Sequence, residues 1–119
     1  MFNWFNKSKN TKRKITSARI RGRWYGLMFI LGEESGRNMS ELLKDKGTEV
    51  LTMLQLSDEF PEEFKVVSEL MKIEDDLKKE EGELPNNVMQ SDYILGGVEA
   101  KKIKLENRSW ADLKSLCDI

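Results

Sequence analysis

A chain of 119 residues with no histidine, a single cysteine and a formal net charge of −1 is closed to most familiar chemistries before any motif is sought. Ser-His-Asp, Cys-His and HExxH sites are excluded, and Cys117 alone can neither close an internal disulfide nor supply a multi-cysteine zinc or iron–sulfur centre. The length suits one domain, and the lone thiol suits a reducing, cytoplasmic setting.

The near-neutral total conceals a segregation that begins at the first residue. Residues 1 to 32 hold Lys7, Lys9, Lys12, Arg13, Lys14, Arg19, Arg21 and Arg23 with no acid, a formal +8. The other 12 basic residues share residues 33 to 119 with all 21 acids, a formal −9. The expected organisation is a basic N-terminal arm, residues 1–14, joined to a single compact acidic domain, residues 15–119. "MFNWF" sets Phe2, Trp4 and Phe5 beside the lysine-rich stretch, a combination suited to an anionic membrane surface. The eight basic residues, with Trp24 and Tyr25 to stack on bases, equally suit nucleic acid, and folding back onto the acidic body is the internal alternative. The apolar run from Trp24 to Leu31 has eight residues, against about 20 for a bilayer-spanning helix. Gly32, Glu33 and Glu34 follow it, where a secretion signal would have a small-residue cleavage site.

Ile20, Trp24, Leu27, Met28 and Leu31 recur at i, i+4, i+7, i+8 and i+11 and predict a helix from about Thr16 to Glu34. A strand over residues 23–31 competes with it, because the segment is rich in β-favouring types and Gly22 and Gly26 would each cost a helix interior about 1 kcal/mol. Met39, Leu42, Leu43, Val50, Met53 and Leu54 form the next stripe, which Gly47 interrupts into one bent helix or two short ones. The strongest signal runs from Ser57 to Gly82. Ser57 or Asp58 is the expected cap, Pro61 suits the first turn, acids crowd the start, and Lys78 and Lys79 the end. Phe60, Phe64, Val67, Leu70, Met71 and Leu77 give this helix a continuous apolar stripe.

After the turn-like "GELPNN", the segment "SDYILGGVEAKKIKLEN" reads as two short strands turning at Gly96 and Gly97, or as a helix restarted after them. Ser109 and Asp112 resemble a capping box ahead of a short helix carrying Trp110, Leu113 and Leu116. The expected fold is therefore mainly α, a small single-domain fold of four to five short helices. The alternative is α+β, with a small antiparallel sheet from residues 23–31 and 93–105.

Chemistry is sparse. Glu33-Glu34 and Glu74-Asp75-Asp76 are carboxylate runs whose neighbours point different ways on a helix, and no EF-hand loop is present. "GEESGRN" lacks the lysine and spacing of a P-loop. Cys117 would be a nucleophile only with a lowered pKa, Lys114 being its nearest basic neighbour in sequence. The methionines fall mostly on the inner stripes and read as core filler. No catalytic residue, metal site or cofactor is assigned, and the chain is read as a non-enzyme.

The functional expectation rests on residues 58 to 83, where 11 acids face four lysines, a formal −7. Such a field suits stoichiometric capture of a basic partner. The expected function is that of a protein-binding inhibitor, of the immunity-protein or phage-encoded kind, neutralising a basic protein such as a toxin or nuclease. Its face is centred on Glu62, Glu63, Glu69, Glu74, Asp75 and Asp76. The alternative is an adaptor for nucleic acid or anionic membrane, using Lys7, Lys9, Lys12, Arg13, Lys14, Arg19, Arg21, Arg23 and Trp24.

Overall fold

Thr16 is itself extended and caps the first helix of the described residues. In the computed structural model, which describes residues 15–106 and 110–118, its hydroxyl accepts the Arg19 N–H at 3.1 Å, and helix α1 runs from Ser17 to Glu34. The helix stops in a Schellman turn: Gly36, at φ +80°, lets its own N–H reach the Glu33 carbonyl and the Arg37 N–H reach that of Gly32. All five residues of the expected stripe, Ile20, Trp24, Leu27, Met28 and Leu31, are buried, and α1 is the helix around which the others gather.

The second stripe divides into α2, Met39–Leu42, and α3, Lys46–Glu59. Asp45 caps α3, its carboxylate accepting the Thr48 N–H at 3.1 Å and the Thr48 hydroxyl at 2.8 Å. The non-helical stretch 43–45 resets the helical phase, so the second half of the expected stripe is rotated outward. Thr52 and Leu56 face the core, while Val50 and Leu54 are 55% and 62% exposed. Met39 and Met28 are fully buried; Met53 and Met71 are half-buried against the core.

Helix α4 spans Pro61–Glu80, with Pro61 in its first turn as expected, Glu62 and Glu63 beside it, and Lys78 and Lys79 in the last turn. Ser57 and Asp58 do not cap it, because α3 continues through them. Phe60 is instead the shared joint, its N–H bonded to Leu56 and its carbonyl to Phe64. A residue before proline is pushed out of the helical region, which places the break there. Phe64, Val66, Val67 and Leu70 of α4 are buried against α1, and the two helices run antiparallel, with Ser17 opposite Glu81 and Trp24 opposite Glu74.

Helix α5, Asn86–Glu106, passes without interruption through Gly96 and Gly97. Residues 23–31 and 93–105 are thus helical, and the fold is mainly α, with six helices and no strand among the described residues. The glycines that suggested strands serve a close parallel crossing with α1. A Cβ on Gly22 would lie 2.0 Å from the Tyr93 carbonyl oxygen, and one on Gly96 2.1 Å from that of Arg19. Only glycine admits this approach. Helix α6, Trp110–Ser115, closes the end of the bundle and is followed by a turn, burying Leu113 and Leu116; Ser109, its expected cap, lies outside the described residues. No helix among the described residues is long and apolar enough to cross a membrane.

Candidate partner-binding surface

Two of the three arginines of α1, Arg19 and Arg23, point into the molecule. Arg19 grips Glu99 of α5 through Nε at 3.0 Å and Nη2 at 2.9 Å, and Arg23 reaches the same carboxylate through Nε at 2.9 Å. The second arm of Arg23 donates to the carbonyls of Leu116 and Asp118 at 2.6 and 2.9 Å, tying the last described residues to the first helix. Burial alone would raise the Glu99 carboxyl, but the two guanidinium partners outweigh it and hold the group at about 2. One turn earlier, the Thr16 hydroxyl donates to the buried carboxylate of Asp92 at 2.8 Å.

Arg21 leans the other way, onto Glu74 of α4 at 3.2 Å. Glu74 also takes Lys78 at 3.1 Å and the indole N–H of Trp24 at 2.7 Å. Trp24, 5% exposed, offers no ring face to a nucleobase. Of the basic set expected to hold a polyanion, Arg19, Arg21, Arg23 and Trp24 are therefore engaged internally. Lys7, Lys9, Lys12, Arg13 and Lys14, like the aromatic Phe2, Trp4 and Phe5, lie outside the described residues.

The acidic set separates in the same way. Glu62, Glu69, Asp75 and Asp76 are exposed on α4 and Glu63 is half-buried, but Glu74 is 5% exposed and forms the centre of the internal cluster just described. Its location was legible: Glu74 stands four residues after Leu70 and three before Leu77, on the apolar stripe itself. On the solvent side, Glu62, Glu69, Asp76 and Glu80 fall in one row at helical spacing, with Lys65, Lys72 and Lys79 in the adjoining row.

A third surface has no counterpart in the sequence reading. Helix α5 is inverted: Asp92, Gly96, Glu99 and Ala100 face α1, while Met89, Tyr93, Ile94, Leu95 and Val98 are 40 to 62% exposed. Val50, Leu51 and Leu54 of α3 are similarly outward. Between α5 and α2 lies an open groove of about 460 Å³, floored by Gly22, Tyr25, Gly26 and Phe29 of α1.

Reactive groups are quiet. The Tyr25 phenol donates to Glu49 at 2.6 Å, and burial together with that carboxylate raises it well above its ordinary value, so it acts as a donor rather than a base. Burial, reinforced by Glu69, pushes the Cys117 thiol up to about 12, opposite to what a nucleophile requires. Among the described residues no three of His, Cys, Asp and Glu converge as a metal site would need. Comparison of the chain with known protein families, with curated proteins and with solved structures finds no match.

Proposed function

We propose that the protein is a non-enzymatic binding protein, of the inhibitor or immunity kind, that captures a basic protein through the solvent side of α4. The observation that supports this reading most directly is the division of charge. Arg19 and Arg23 of α1 are consumed inside the fold and the half-exposed Arg21 is paired with Glu74, whereas Glu62, Glu69, Asp75 and Asp76 stay exposed, and none of the salt bridges among the described residues draws on them. A surface field of this kind steers a cationic partner and accelerates encounter. Glu74 does not belong to the set, being buried between two cations, Arg21 and Lys78, and the indole N–H of Trp24.

The test is capture at low and high salt by the immobilised chain and by a variant carrying Glu62→Gln, Glu69→Gln, Asp75→Asn and Asp76→Asn. Proteins of high isoelectric point that bind the parent chain, are released by salt and are lost with the variant support the reading. An identical captured set for both chains, or capture of nucleic acid in place of protein, sinks it.

A further inference from the structure

We propose that the cavity between α1, α3 and α4 is a binding site for a small aromatic anion carrying one negative charge. This goes beyond the capture of a basic protein, because the ligand is a small molecule of opposite charge and lysines hold it. The cavity measures about 520 Å³, within the range of about 300–1,000 Å³ usual for small-molecule sites.

Four cations from three helices line it: Arg21 of α1, Lys46 of α3, and Lys72 and Lys78 of α4. Three carboxylates accompany them, and two are already committed. Glu74 is buried and pairs with Arg21 at 3.2 Å and Lys78 at 3.1 Å, while Glu49 accepts the Tyr25 phenol at 2.6 Å. The third, Asp75, is exposed. Lys46 and Lys72 take part in no salt bridge among the described residues. Lys46 is the more telling of the two, because it opens α3, where the helix dipole disfavours a positive charge. A cavity in which cations outnumber carboxylates by one is balanced by a ligand with a single negative charge.

The remaining lining sets the shape of that ligand. Tyr25 stacks on Trp24 with 4.3 Å between ring centroids, and the half-buried Met53 and Met71 line the same cavity. Thioethers contact aromatic rings favourably and adapt to their outline, so two methionines and a tyrosine suit a flat aromatic body better than a bare inorganic ion. Lysines act as mobile point charges without the fixed fork of arginine, so a carboxylate or a sulfonate serves equally as the charged group.

Anilinonaphthalene sulfonate, an aromatic monoanion whose fluorescence rises on binding, is the probe, and its uncharged relative phenylnaphthylamine is the control. Saturable binding of the sulfonate to the full chain, weakened about tenfold or more by Lys46→Gln/Lys72→Gln, supports the site. Lys65→Gln/Lys79→Gln removes the same charge from exposed positions of α4 that do not line the cavity and should leave binding unchanged, and the neutral amine should be indifferent to both pairs. Methyl resonances locate the probe independently of any substitution: those of Met53 and Met71 should shift, and that of Met89 on the exposed side of α5 should not. Shifts centred on Met89, equal effects of the two lysine pairs, or no saturable binding overturns the proposal.

Discussion

Helices α4 and α5 both lie along α1, one antiparallel and one parallel, and they reach it by opposite means. Helix α4 presents a row of large aliphatic side chains and keeps most of its charges in water. Helix α5 presents glycines, an alanine, Asp92 and Glu99, packs Ile103 against the core near its end, and leaves Ile94, Leu95 and Val98 outside. The α4 side is held by removal of apolar area from water, an effect that tolerates some repacking. The α5 side is held by backbone proximity and charge-assisted hydrogen bonds, which tolerate neither added volume nor a missing partner. Amphipathicity therefore locates one interface of α1 and misplaces the other.

The contrast can be broken most severely at the crossing. Gly96→Leu places a branched side chain where even a Cβ meets the Arg19 carbonyl at 2.1 Å, and cooperative unfolding in urea should be lost or weakened by about 3 kcal/mol or more. A variant with parent-like stability would mean that α5 does not approach so closely. On the α4 side, Leu70→Ala removes a fully buried side chain and should cost about 3 kcal/mol, with the chain still folding cooperatively.

Arg23→Met should cost about 2 kcal/mol, because it leaves the carbonyls of Leu116 and Asp118 without their donor and withdraws one cation from Glu99. Loss of protection at residues 113–118 in hydrogen exchange, with α4 unchanged, would localise the damage.

Acid provides a subtler probe. Glu99 titrates at about 2 in the folded chain, against an ordinary value of 4.5. Its contribution to stability is therefore fully present above about 4.5 and disappears as the pH falls towards 2. The parent chain should lose stability more steeply across that window than Glu99→Gln, as followed by thermal melts at successive pH values. Parallel curves would show that the Arg19–Glu99–Arg23 cluster is not formed in solution. The smallest effect concerns Cys117, which should react with a thiol reagent at pH 8 much more slowly than a free cysteine, and at the ordinary rate once the chain is unfolded.

How much was legible follows from the same contrast. Helix α1 could be read from its apolar stripe, with a start at about Thr16 that agrees with the structure, although a strand over residues 23–31 competed with it. The body of α4 could be read as well, although not its first residue: local capping chemistry favoured Ser57 or Asp58, and the constraint that Pro61 places on Phe60 prevailed. The outer face of α3 was misread because three non-helical residues shifted the phase, and no residue type at 43–45 announces how far. Helix α5 was misread most deeply, since Gly96 and Gly97 carry the same signature whether they turn a chain or admit a neighbour. The distinction lay 70 residues away, in Gly22 and Gly26. Of the expected capture face, the exposed acids lie on solvent as read. Glu74 shows that counting charge along a segment is blind to which side of the helix holds it.

The clasp of Arg23 on Leu116 and Asp118 closes a loop of more than 90 residues. Drawing so long a span together costs chain entropy before the contact returns anything, so neighbouring helices pair quickly while this closure comes slowly. Refolding of the molecule is therefore paced by the meeting of its two most distant described segments rather than by the formation of any one helix.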